Sequence, residues 1–315
     1  MRTIQHIIKN NMMLTDGGLE TTLIYEHGMD LPYFAAFTLI EQATMREILM
    51  DYYTPYLELA ARYQTGFILE SATYKANPET AFKLGYNLDE INRINHEAIR
   101  QLSILRDRIK SRVQPILISG CIGPRKDGYT IGDRMNIKEA ADYNYHQINA
   151  FREAGADLVT AFTLNYEEEA IGIVEAARRV NMPVVISFTL ETDGRLPNNN
   201  TLEYAIATVD KATGYYPEYY MVNCAHPSHF TNVVKESQIC KKRLMAIRAN
   251  ASCKSHAELE QSKELDAGNK YELAGWYKQL KQNLPGLQII GGCCGTDHSH
   301  LETIMENVME KKRSA

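Results

Sequence analysis

Leu287-Gln288-Ile289-Ile290-Gly291-Gly292-Cys293-Cys294-Gly295-Thr296 joins a short apolar run to a pair of thiols framed by glycines. A run of four largely apolar residues, bounded by turn-forming residues, reads as a buried strand. Reactive side chains follow at its carboxyl end. Seven earlier runs share this character: Met12 to Thr15, Phe67 to Leu69, Pro115 to Ser119, Leu158 to Ala161, Val184 to Phe188, Tyr219 to Asn223 and Leu244 to Ile247. Between them lie segments of helical period, among them Leu88 to Ile109, Lys138 to Glu153, Glu167 to Arg179, Leu202 to Lys211 and Leu273 to Gln282, with His298 to Lys311 last. Alternating strands and helices make parallel βα units. Eight units make an α/β fold of one kind, a single (βα)8 TIM barrel, expected to take residues 1–315 as one domain.

Hydrophobic residues are 44% of the chain, charged residues 23%, and the net charge is −5, values of an ordinary globular protein. Lysine and arginine are scattered. Their densest cluster, Lys311, Lys312 and Arg313, reads as a solvated tail, so no nucleic-acid surface is expected. No stretch has the length and apolarity of a membrane span, and Met1 to Asn11 lacks the apolar core of a secretory signal. A cytoplasmic location is therefore expected, with the six cysteines (121, 224, 240, 253, 293 and 294) reduced. Metal binding or catalysis then outranks a disulfide framework.

In such a barrel the substrate site lies at the carboxyl ends of the strands. Asp16, Gly17 and Gly18 follow the first strand, Glu70 ends the second, and Gly120 to Pro124 follow the third. Asn223 and Cys224 end the sixth, Asn250 follows the seventh, and Cys293 with Cys294 follows the eighth. All would converge on one rim. The polar stretch Ala251 to Asn269 is long for a βα loop and reads as a short helix or a lid.

Catalytic zinc takes three protein ligands and leaves a fourth position open; Cys224, Cys293 and Cys294 supply that number. Neighbouring side chains of a strand point to opposite faces, so a shared metal requires the backbone to leave the extended form, which Gly291, Gly292 and Gly295 would permit. A Cys293–Cys294 disulfide is the competing reading. Consecutive Cα atoms are about 3.8 Å apart, below the usual disulfide range of roughly 4.4 to 6.8 Å. Cys224 alone would pass for a small buried hydrophobe, and Cys121, Cys240 and Cys253 are read as packing. Three thiolates make zinc a poor activator of water and a better partner for an incoming thiol, whose pKa it would lower. The implied chemistry is alkyl transfer to sulfur.

Asp16-Gly17-Gly18, Ile122-Gly123-Pro124, Ser187-Phe188-Thr189 with Gly194-Arg195-Leu196, Val222-Asn223-Cys224 with Pro227, and Gly291 to Thr296 stand in this order along nearly the whole chain. The set resembles the homocysteine S-methyltransferase family. The resemblance implies zinc held by Cys224, Cys293 and Cys294, and methyl transfer to the sulfur of homocysteine, giving methionine. Asp16 would help bind the amino-acid portion, with Gly17 and Gly18 nearby; a turn or helix-cap role is the alternative. Relatives that use methylfolate and cobalamin carry further domains, so S-methylmethionine or S-adenosylmethionine is expected as donor. Tyr74 and Tyr129 are candidates for an aromatic surround of that cation.

The chain also departs from the family pattern. Where members often carry Phe-Glu-Thr on the fourth strand, with the glutamate on the substrate amino group, this chain reads Ala161-Phe162-Thr163-Leu164. Glu70 could supply the missing charge from a neighbouring strand, or serve as a structural carboxylate. In place of Tyr-Pro-Asn-Ser-Gly stands Ile247-Arg248-Ala249-Asn250-Ala251, and Arg248 is expected to meet a substrate carboxylate. These departures keep open a methyltransferase for another small thiol or selenol. A non-catalytic zinc or redox thiol module is the reading from a different class.

Overall fold

The computed structural model describes residues 4–262 and 264–309. Among them eight parallel strands close into a barrel in sequence order: β1 (Met13–Leu14), β2 (Gly66–Glu70), β3 (Ile116–Ile122), β4 (Leu158–Leu164), β5 (Val184–Phe188), β6 (Tyr220–Asn223), β7 (Leu244–Ala249) and β8 (Ile289–Gly292). Strand β1 pairs with both β2 and β8, which closes the ring. Both faces of each strand are buried, as the continuous apolar runs require. One face packs inward, with Met13, Ile68, Leu117, Leu158, Val185, Met221 and Ile289 in one cluster. The other face, with Leu14, Phe67, Leu69, Ile118 and Val159, packs against the helices.

The expected strands are all present, with shifted ends. β3 runs to Ile122, so Gly120 and Cys121 lie within it and pair with β4. β4 continues to Leu164 through an irregularity between Ala161 and Leu164. β8 begins and ends two residues later than expected, because its register with β7 pairs Arg248 with Gly291 and Ala249 with Gly292. The closing helix is His298–Val308; Lys311, and the basic cluster it begins, lie outside the described residues. Helix starts follow local chemistry. Asn87 with Glu90 and Asn136 with Glu139 form reciprocal caps on Leu88–Ile109 and Ile137–Glu153.

The helix Ile4–Asn10 was not expected. Its Ile8 joins the inner cluster, with Ile4 and Ile7 against it, and Gln5 donates to the Glu218 carbonyl at 3.2 Å. It covers the amino-terminal end of the barrel and leaves the carboxyl rim as the accessible side. No helix among the described residues is long and apolar enough to cross a membrane.

Candidate active site at the carboxyl rim

Cys224 begins where β6 ends, and its φ of 52° lies in the left-handed region. That conformation is costly for a side chain with a Cβ and persists only where the surroundings impose it. They do so here through hydrogen bonds. Its amide donates to the Arg248 carbonyl at 3.2 Å, and its carbonyl accepts from Asn250 Nδ2 at 3.2 Å and from His256 Nε2 at 2.6 Å. Asn223 braces the neighbouring strand: its Oδ1 accepts from the Thr163 amide at 2.8 Å and from Ser187 Oγ, while its Nδ2 donates to Thr163 Oγ1 at 2.8 Å. Thr163 is itself left-handed, at φ 56°.

Glycines let the first and last loops meet. A Cβ on Gly18 would stand 2.6 Å from the Cys293 carbonyl oxygen, and one on Gly17 would stand 2.5 Å from that of Thr296. A Cβ on Gly291 or Gly292 would overlap Thr15 or Thr296. Crowding, rather than conformational freedom, therefore requires glycine at 291 and 292. Gly295, at φ 76°, is the one that turns the backbone.

The three expected thiols come together: the sulfurs of Cys224, Cys293 and Cys294 lie within 4.8 Å of one another. Cys224 and Cys293 are joined as a disulfide, their Cα atoms 5.5 Å apart, and Cys294 is free. The adjacent pair Cys293–Cys294 is therefore not the bonded one. Thiolates at about 2.3 Å from a tetrahedral zinc stand about 3.8 Å apart, within the 4.8 Å that bounds the three sulfurs here. The donor set is purely sulfur, which suits a soft or borderline metal. Burial pushes the Cys294 thiol up to about 11, and Glu20 adds to the rise, so a thiolate here calls for a cation beside it. The residues fit a bound zinc.

Beside the sulfurs opens a cavity of about 470 Å³, lined by Asp16, Gly17, Gly18, Glu70, Asn223, Arg248 and the three cysteines. Asn250 is not in this lining; the structure turns it onto the Cys224 carbonyl. Arg248 is buried, with Nη1 2.9 Å from Asp16 Oδ1, Nε donating to the Gly292 carbonyl at 2.9 Å, and Nη2 to that of Gly17 at 2.8 Å. Its guanidinium, 5.2 Å from the Phe162 ring centroid, thus joins β7 to the first and last loops. The bidentate fork expected for a substrate carboxylate is engaged within the protein. Burial works against the Arg248 charge, but Asp16 and Glu70 raise its pKa above the ordinary arginine value.

Tyr52 donates to Asp16 Oδ2 at 3.0 Å, and Thr160 Oγ1 to Glu70 Oε1 at 3.3 Å. Glu70 Oε2 remains buried with no hydrogen-bond donor, and Asp16 Oδ1 has only the Arg248 ion pair. A buried carboxylate oxygen without a donor is costly unless a ligand supplies one.

Burial raises the Glu70 carboxyl from 4.5 to about 7, against the opposing pull of Arg248 and with a smaller push from Asp16. The folded state therefore holds more protons than the unfolded chain between those values, and Glu70 makes stability fall as pH rises from 4.5 to about 7. Glu70→Gln is expected to flatten that decline, measured as Tm against pH. An unchanged slope would show that Glu70 carries none of it.

Three rim residues escaped the sequence reading. Glu20 stands in the first turn of Leu19–Tyr25, where an acid reads as ordinary helix-dipole chemistry. Lys75 looks like any loop lysine. His256 lies in the long stretch after β7, which forms the short helix His256–Glu260; its ring stacks on Tyr129 with centroids 3.9 Å apart. Only the fact that residues following a barrel strand face the rim would have marked them.

A closed (βα)8 barrel with a sulfur-rich cavity at its carboxyl rim defines a class of barrel enzyme that works on thiols. Comparison with known proteins narrows this: the model of the homocysteine S-methyltransferase family matches residues 13–308, and the chain belongs to that family of methyltransferases. It is 22% identical to Homocysteine S-methyltransferase 1 of Arabidopsis thaliana, over 95% of this chain and 94% of that protein. It shares its fold with the metallated form of the homocysteine methyltransferase MmuM of Escherichia coli, with a TM-score of 0.72 at 19% identity, covering 93% and 95% of the two chains. The apo form of the same protein gives a TM-score of 0.66 at 19% identity, covering 94% and 96%.

Proposed function

We propose that the chain moves a methyl group from a sulfonium donor to the thiol of homocysteine, with zinc held by Cys224, Cys293 and Cys294. The observation that carries this reading is the meeting, in one cavity, of three sulfurs within 4.8 Å with the buried carboxylates of Asp16 and Glu70, of which Glu70 Oε2 has no donor. A storage or redox module has no use for those carboxylates. The ammonium of an amino acid supplies three donors; Glu70 Oε2 accepts from it beside the Asp16 carboxylate, and Glu70 takes the part of the acid absent at Phe162. Gly17 and Gly18 let the chain approach closely, Asn250 and His256 hold Cys224 in its left-handed turn, and Asn223 braces Thr163 beside it.

When bound, zinc supplies the positive charge that keeps the acceptor sulfur as a thiolate near neutral pH. The thiol proton leaves to solvent. A lone pair on that sulfur forms the new S–CH3 bond, while the pair of the old C–S bond stays with the donor sulfur, which departs as a neutral thioether. No general acid is needed, so the chain's contribution is alignment and exclusion of water.

Methionine formation from homocysteine is measured with S-methylmethionine, S-adenosylmethionine and betaine in turn. Turnover is expected with a sulfonium and little with betaine. Absence of turnover with either sulfonium sinks the reading.

A further inference from the structure

The cavity contains a second pair of opposite charges besides Asp16, Arg248 and Glu70. Glu20 and Lys75 both line it, the first from the turn that follows Gly18, the second from the loop after β2. Neither forms an ion pair among the described residues, with the other or with a third group. Burial raises the pKa of the Glu20 carboxyl to about 7 and lowers that of the Lys75 ammonium; Lys75 opposes the first shift, and Asp127, Glu169 and Glu20 oppose the second. Lys75 Nζ donates to the Lys126 carbonyl at 2.8 Å and sits 5.1 Å from the Tyr74 ring centroid. One of its three N–H donors is thereby used. An acid and a base that face one cavity without closing on each other leave an acceptor and a donor for a zwitterion.

The lining is also aromatic. Tyr74 and Tyr129 line the same space, and Tyr25 and Phe34 stand at its mouth, 46% and 50% exposed. Tyr33 and Phe34 are both left-handed, each at φ 58°. Two consecutive L-residues in that region are strained, and the turn they make puts the Phe34 ring at the entrance. Aromatic faces attract a cation that carries no N–H, as a sulfonium does. Glu20 also acts directly on Cys294, as does Arg248, so the sulfur cluster lies within reach of both charge sets.

We propose that Glu20 and Lys75 hold the amino-acid head of the methyl donor, Glu20 its ammonium and Lys75 its carboxylate, with the Tyr74 and Tyr129 rings beside the sulfonium. This rests on the methyl-transfer reading and deepens it by assigning two residues of this chain to the donor's head, with the inner set of charges left to the acceptor. S-Methylmethionine and S-adenosylmethionine share that head; trimethylsulfonium has the reacting centre without it.

Initial rates at saturating homocysteine are compared for these three donors in the unaltered protein, Glu20→Gln and Lys75→Met. The preference in kcat/KM for either amino-acid sulfonium over trimethylsulfonium is expected to fall about tenfold or more in each variant, the effect of losing one charge-assisted hydrogen bond. A ratio taken within one preparation is insensitive to its folded fraction. Calorimetric titration with S-methylmethionine is expected to show the same weakening without turnover. An unaltered preference and affinity overturn the subsite while methyl transfer stands. No turnover by the unaltered protein with any sulfonium overturns the function and the subsite together.

Discussion

Cys294→Ser is expected to lower zinc affinity by at least about a hundredfold, beyond the ten- to hundredfold typical of losing a residue that merely supports a ligand. Methionine formation is expected to fall by about a thousandfold, the equivalent of roughly 4 kcal/mol of charge stabilisation from a metal. A serine hydroxyl stays protonated near neutral pH and is a poor substitute for a thiolate. Cys224→Ser and Cys293→Ser are expected to behave alike, since the three sulfurs form one cluster. Cys240→Ser is the control: Cys240 is buried away from the cavity, in the outer core, and its loss leaves the metal bound. The measurements are metal content after dialysis under reducing conditions and product formed. Full zinc retention in all three cluster variants would defeat the proposed centre.

Arg248→Met is expected to cost about 3–5 kcal/mol of stability, the range for removing one partner of a buried ion pair. The reason is the charge left behind. Asp16 and Glu70 are both buried around this guanidinium, and methionine fills much of the volume while neutralising neither. The Gly17 and Gly292 carbonyls lose their donors as well. Adding Asp16→Asn to Arg248→Met is expected to restore part of the loss, because the uncompensated carboxylate is then gone. Chemical denaturation of the single and double variants checks this. A loss below about 1 kcal/mol, or no recovery in the double variant, would show that the pair does not carry the stability assigned to it by its burial.

The three cysteines were readable because a barrel strand delivers whatever follows it to the carboxyl rim. Cys224 after β6 and Cys293-Cys294 after β8 needed only a count of strands. Arg248 stands on the expected rim, where its guanidinium also pairs with Asp16. Its ordinary role in recognition is a substrate carboxylate, but the ring closes β8 onto β1 and brings the loop after β1 within its reach. Asn250 fared similarly: its position beyond β7 is correct, yet its side chain turns onto the Cys224 carbonyl rather than into the cavity.

Sequence by itself determined the strand order, the barrel and the identity of the sulfur cluster, because alternating apolar runs and strand-end motifs are local patterns. Tertiary structure alone decided the charge pairing. Arg248 reaches the Gly17 carbonyl across 231 residues of chain, Glu20 and Lys75 share a cavity although each looks like a surface residue, and Thr163 and Cys224 are held left-handed by partners from other strands. Pairings of that kind depend on which loops ring closure makes neighbours, and on the cost of burying a charge or an amide without a partner. Neither is written in any one segment of the chain.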